Sequence, residues 1–274
     1  MFGTTYLGDK KNLSALLDAF ESVEQFSPTS ASRDERRSNP YDRNWVLSET
    51  TIAEQKALAV FLKRQKSARY SASIGSHVAP YVDIVINPVL ARKNYPALIT
   101  WCNNLTYAFK PDYACLTFIP EIRRNPYPTE LDKNLDSYLH ASVEGIARYL
   151  RRGPPGIGMF TWLGKHFIDQ IGRDFLISTP NTAIEETDWG GVFIQMASDN
   201  LPCELPAEKM IELWQPAMKH LWQRGIFAEQ SVHEKGYVYK SGKGPNSVIG
   251  GYVTDKKFGA KLTKAVERKD IGQS

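Results

Sequence analysis

Apolar residues recur at three- and four-residue spacing over 11–26, where Leu13, Leu16, Leu17, Phe20 and Val23 form one stripe and predict an amphipathic helix after a short possible strand at TTYLG. Periodicity then lapses. Residues 27–44 are rich in Ser, Pro and charge and read as an exposed loop. In SETTIAEQKALAVFLKRQKSA, Thr50 or Thr51 can cap a second helix that buries Ile52, Leu58, Ala59, Phe61 and Leu62. RYSASIG and YVDIVINP alternate large with small or polar residues, which predicts two strands joined as a hairpin. KNYPALITWCNNLTYAFKPD sets Leu98, Trp101, Cys102 and Leu105 on one helical face and stops at Pro111, and DYACLTFIP supplies a strongly apolar strand.

The order strand, strand, helix, strand then returns. DFLISTP and GGVFIQMAS read as strands, with NTAIEETDWGG between them as a turn or an additional short strand. PAEKMIELWQPAMKHLWQRG places Met210, Ile211, Trp214, Ala217, Met218, Leu221 and Trp222 on one stripe, with Pro216 inside it and Gly225 ending it. GIFAEQS follows as a final strand. The pattern predicts an α+β fold in one compact unit, built from two related strand-strand-helix-strand halves with antiparallel or mixed sheets and flanking amphipathic helices. The halves fall at 1–130 and 157–235; a spacer helix at 131–152 joins them, and a glycine-rich arm, 236–274, follows.

Composition changes this picture little. The chain has 274 residues, 42% hydrophobic and 23% charged, with a net charge of +4, which is short of a nucleic-acid-binding composition. Basic clusters at 33–37, 63–69, 148–152 and 256–269 are interrupted by acids or lie on helix faces, so they read as solvated surface. Cys102, Cys115 and Cys203 are an odd number, widely spaced and in apolar surroundings, a pattern that fits inert thiols in a reducing compartment. No run approaches the roughly 20 apolar residues of a membrane helix, and the N-terminus lacks a signal-peptide core, so a cytoplasmic protein is expected.

The motifs of catalysis do not assemble. In RYLRRGPPGIGMFTWLGKHF, Gly153, Gly156, Gly158 and Gly164 lack dinucleotide or phosphate-loop spacing, and Pro154 and Pro155 remove backbone donors that an anion site needs. The stretch reads instead as an exposed basic turn, after which Met159, Phe160, Trp162 and Leu163 begin a buried core. SGKGPN has Gly244 where a phosphate loop requires a hydroxyl. His77, His140, His166, His220 and His233 show no metal-binding spacing, and no acid pair with a nearby lysine forms a nuclease motif. No catalytic residue, metal site or cofactor is expected. The densest acid group is IEETDWGG, where Glu185, Glu186 and Asp188 flank Trp189 in a glycine-rich turn. Carboxylates beside an aromatic suit a protein partner with basic groups, the indole supplying an anchor and the charges specificity. Trp189 can equally be a core residue.

MFTWLGKHFIDQIG, the acid-turn segment and the long helix that follows resemble the C-terminal half of immunity proteins encoded beside type VI secretion effectors. The residues that carry the likeness, across 157–225, are Trp162, Leu163, Gly164, Ile171, Gly172, Gly191 and Pro202. The N-terminal half is compatible with the group whose partners are restriction-endonuclease-like toxins. The resemblance implies a cytoplasmic protein of bacterial competition that binds and neutralises a cognate secreted toxin, a nuclease, and needs no active site of its own. Two other readings stay open. One is an enzyme with a cleft between the halves, drawing on His166, His233 and Glu234. The other is a nucleic-acid module using Arg148, Arg151 and Arg152, which predicts steeply salt-dependent binding.

Overall fold

A computed structural model of the chain describes residues 1, 7, 9–55, 59–65, 69–76, 80–86, 95–117, 154, 156–196, 205–227, 229–233, 236–240 and 250–252. The expected strand at TTYLG, the spacer helix at 131–152, the arginines of 148–152, and His77, His140, Cys203 and Glu234 lie outside these residues, apart from Leu7. The fold is α+β, with helices and antiparallel sheets. Two compact units divide the chain: residues 1–114 with 162–165 and 186–192, and residues 115–161 with 166–185 and 193–274.

In the first unit, α1 (Lys10–Glu21) starts where the Asp9 carboxylate accepts a hydrogen bond from the Lys11 N–H at 2.8 Å. The helix buries Leu13, Leu16, Leu17 and Phe20 as its stripe predicts, but ends at Glu21, and a separate 3-10 turn, Glu24–Phe26, carries Phe26 inward. The expected loop of 27–44 contains two short strands, β1 (Ser30–Ser32) and β2 (Asn39–Pro40), and α2 (Arg43–Gln55) already begins within it. All three β1 residues are buried. Ser30 accepts from the Ser38 hydroxyl, and Ser32 donates to the Asp34 and Arg37 carbonyls, so small polar side chains fill an interior position without orphaned atoms.

The single helix expected over 48–68 is corrected. Its second part is strand β3 (Ala59–Arg64), in which Val60 and Leu62 point inward on a two-residue period while Ala59 and Phe61 are half-buried. β4 (Tyr70–Ser76) and β5 (Pro80–Ile86) form the predicted antiparallel hairpin, and the five strands order as β2-β1-β3-β4-β5. The register aligns Val60 with Ile74 and Ile74 with Val82, which puts all three on one face. There α3 (Tyr95–Phe109) supplies Trp101, 1% exposed, which stacks on Phe26 at 4.9 Å, meets Phe20 edge-on, lies 5.2 Å from Tyr70, and donates its indole N–H to the Phe20 carbonyl. One tryptophan thereby ties helix, turn and sheet together, and its only polar atom is satisfied.

A four-stranded sheet, most of it in the second unit, orders as β6-β7-β9-β8, formed by β6 (Tyr113–Leu116), β7 (Phe160–Leu163), β8 (Thr182–Glu186) and β9 (Val192–Met196). Every residue of the central strand β7 is buried, so MFTWLG does begin a core. Two short helices follow it, α4 (Lys165–Ile171) and α5 (Arg173–Ile177). The second corrects the strand expected at DFLISTP: an apolar run of three fits either period, and Gly172 at φ +89 reverses the chain so that Asp174 falls in a helical first turn. α6 (Ala207–Trp222) buries Met210, Ile211, Trp214, Ala217, Met218 and Leu221 of the predicted stripe around Pro216 and leaves Trp222 half-buried. Trp214 donates its indole N–H to the Ile157 carbonyl at 2.9 Å, and the Ile157 N–H meets the Met218 sulfur. Gly225, at φ +62, follows the helix end. Within the region read as a final strand and an arm, β10 (Glu229–His233), β11 (Gly236–Lys240) and β12 (Gly250–Tyr252) pair antiparallel in that order.

Candidate functional site

IEETDWGG folds as the end of β8 and its turn into β9. The Thr187 N–H donates to the Gly191 carbonyl at 3.0 Å and the Gly190 N–H to the Thr187 carbonyl at 2.9 Å. This is the pattern of a three-residue hairpin loop, Asp188, Trp189 and Gly190, in which a turn is followed by a residue in the left-handed region. Gly190 is that residue, at φ +86. The Thr187 hydroxyl adds a third tie by accepting the Gly191 N–H at 3.0 Å. A four-residue interval is thus locked by three hydrogen bonds.

The lock positions the aromatic. A β-carbon built on Gly191 would fall 2.1 to 2.6 Å from three carbons of the Trp189 indole, so the six-membered ring lies across the Gly191 backbone. Trp189 is half-buried there, against its own hairpin, neither a buried core side chain nor fully projecting. Around it Glu185, Glu186 and Asp188 are all exposed. On a strand, Glu185 and Glu186 point to opposite faces. The three carboxylates therefore surround the tip rather than converge on one point, which suits an extended surface better than a bound ion. β8 is also one of the two outer strands of its sheet, with β6 at the other edge.

Of the residues of the alternative readings, Glu234, Arg148, Arg151 and Arg152 lie outside the described residues, as does the side chain of His233. His166 is exposed on α4, beside Gln170 at 2.7 Å. His220, on α6, places Nε2 2.9 Å from the Phe175 carbonyl, which can only accept, so this nitrogen carries a proton and caps α5. The His220 ring stacks on Phe175 at 4.0 Å, and the Arg224 guanidinium sits 4.0 Å from the centre of the Phe175 ring. That arrangement is a packed surface layer. Burial pushes the Cys102 thiol up to about 12, which suppresses its thiolate. Among the described residues, no group of three or more His, Cys, Asp or Glu side chains is placed to hold a metal ion, and no helix is long and apolar enough to cross a membrane.

Sequence reasoning finds the acids and the tryptophan but misses Thr187 and the separate duties of the two glycines. The signal is present in TDWGG: a hydroxyl residue four before a glycine, with another glycine at the left-handed position of the loop. No protein-family model matches the chain, and no curated protein or solved structure matches it either.

Proposed function

We propose that the protein is an immunity protein that binds and neutralises a cognate secreted antibacterial toxin of the type VI class, a nuclease, through the tip of the β8-β9 hairpin. The observation that carries the reading is this tip, where exposed carboxylates of Glu185, Glu186 and Asp188 surround an indole held in place on Gly191. A nuclease presents cationic side chains to bind phosphates. An acidic hairpin offers those groups an alternative anion, and a tryptophan already fixed on its own backbone loses little freedom when it docks. The resemblance of 157–225 to immunity proteins of this class points the same way.

The test is growth of bacteria expressing a candidate nuclease effector, with and without this protein, together with pull-down of the effector on a tagged chain. Rescue of growth with a stoichiometric complex is expected for the natural sequence. Loss of both is expected when Glu185, Glu186 and Asp188 are all changed to Lys. Rescue that survives this change removes the hairpin from the interface, and failure of the natural chain to bind or protect against any such effector removes the reading.

A further inference from the structure

Helices α1 and α3 leave a groove of about 770 Å3 on the first unit. The Asn104 side chain bonds the Ser22 hydroxyl at 2.8 Å toward one end, and Lys11 and Lys110 line the other. The floor is made of small side chains, Ala15, Ala19 and Ala108, and Tyr107 stands on its wall with 59% of its surface exposed. Small residues let a third helix approach two others closely, and an exposed aromatic on the wall is the type of side chain that anchors interfaces.

The lysine end carries three cations, Lys10, Lys11 and Lys110, against one capping acid, Asp9. α1 opens with Lys10 and Lys11, cations where the helix dipole favours anions, and the Asp9 carboxylate caps the same end. Lys110 occupies a left-handed conformation, φ +47, where glycine is the residue without strain. Lys10, Lys11 and Lys110 are all exposed. The acid on the groove wall, Asp18, is held by Arg43 at 2.6 Å, so it does not neutralise them. The lysines of the first α1 turn and the left-handed Lys110 give one end of this concave surface its positive charge.

We propose that this groove receives an amphipathic helix of a partner protein, its apolar face on the alanine floor against Tyr107 and its acidic residues at the lysine end. The helix-in-groove mode fits an open trough between two helices, and the cations select the charge of the occupant. None of its lining residues belongs to the β8-β9 tip, and the proposal stands whether or not the immunity reading holds.

The probe is a pair of stapled synthetic helices of about three turns, matching α1 in length, with leucines at i, i+3, i+4 and i+7 and either glutamates or lysines at the end facing Lys11 and Lys110. Binding to the full chain is followed by fluorescence anisotropy and by amide chemical-shift changes. The acidic helix is expected to bind about tenfold more tightly than the basic one, with shifts confined to α1 and α3. Lys11→Glu with Lys110→Glu should invert that preference, and Ala15→Arg, at an exposed position, should abolish binding of both helices without changing the melting temperature. Equal binding of the two helices, shifts elsewhere, or indifference to Ala15→Arg overturns the proposal. So does self-association of the chain that is itself blocked by Ala15→Arg, which would make the occupant a second copy.

Discussion

Gly190→Ala isolates the backbone term that holds the hairpin tip. The residue sits at φ +86, and nothing lies within 4 Å of where a β-carbon would be, so no steric clash contributes. An L-residue in this conformation costs about 1–2 kcal/mol. Restricting the unfolded chain returns roughly 0.4–1 kcal/mol. The net expectation is a destabilisation of about 1 kcal/mol in the unit that holds the hairpin, read by urea denaturation with circular dichroism. Gly190→Asn should recover much of the loss because asparagine tolerates the left-handed region. Gly191→Ala acts differently: its β-carbon would displace the indole, whose ring carbons lie 2.1 to 2.6 Å away, so the Trp189 indole N–H resonance should move with little change in the turn itself. A neutral or stabilising Gly190→Ala, or Gly190→Asn no better than alanine, refutes the assignment of the loop.

Three further outcomes follow from the packing and the charges. Trp101→Ala removes the indole that joins Phe20, Phe26 and Tyr70 and should cost about 3–5 kcal/mol, measured as a shift in the denaturation midpoint. Arg43 bonds Glu21 and Asp18 at 2.6 Å each while 27% exposed, so Arg43→Ala should cost about 1 kcal/mol, and less at high salt. The Cys102 thiol, raised to about 12 by burial, keeps its proton in the folded state above the ordinary thiol value near 8.5. The folded state then binds more protons than the unfolded one, so stability is intact below about pH 8.5 and falls as pH rises toward 12, at up to about 1.4 kcal/mol per pH unit. Cys102→Ala should flatten that slope, and native Cys102 should label with thiol reagents about a thousandfold more slowly at pH 8 than after unfolding.

The elements legible in the sequence are those whose side chains carry one unambiguous period. α1, α3 and α6 show long apolar stripes, and β4 and β5 alternate cleanly, so the order of their residues alone is enough to tell helix from strand. β3 is harder: AVFLKR continues a helix-like segment, and Val60 and Leu62 satisfy a two-residue period over too short a run to outweigh it. β1 hides because Ser30 and Ser32 are polar and Ala31 is small, and their burial depends on hydrogen-bond partners two to eight residues away and on pairing with β3. At the candidate site the chemistry is visible as residue types. The arrangement is not, because the position of Trp189 depends on the absence of a single β-carbon at Gly191, which only the folded hairpin makes meaningful.

The most direct measurement is calorimetric titration of a nuclease effector from which the natural chain protects cells, into that chain and into the variant carrying Glu185→Lys, Glu186→Lys and Asp188→Lys, with melting temperatures recorded alongside. Because all three side chains are exposed, the melting temperature should be unchanged, while affinity should fall by about a hundredfold or more, in line with the cost of opposing an interface charge pair. Unchanged affinity at an unchanged melting temperature would contradict the account, since the acids of the hairpin tip would then contribute nothing to recognition.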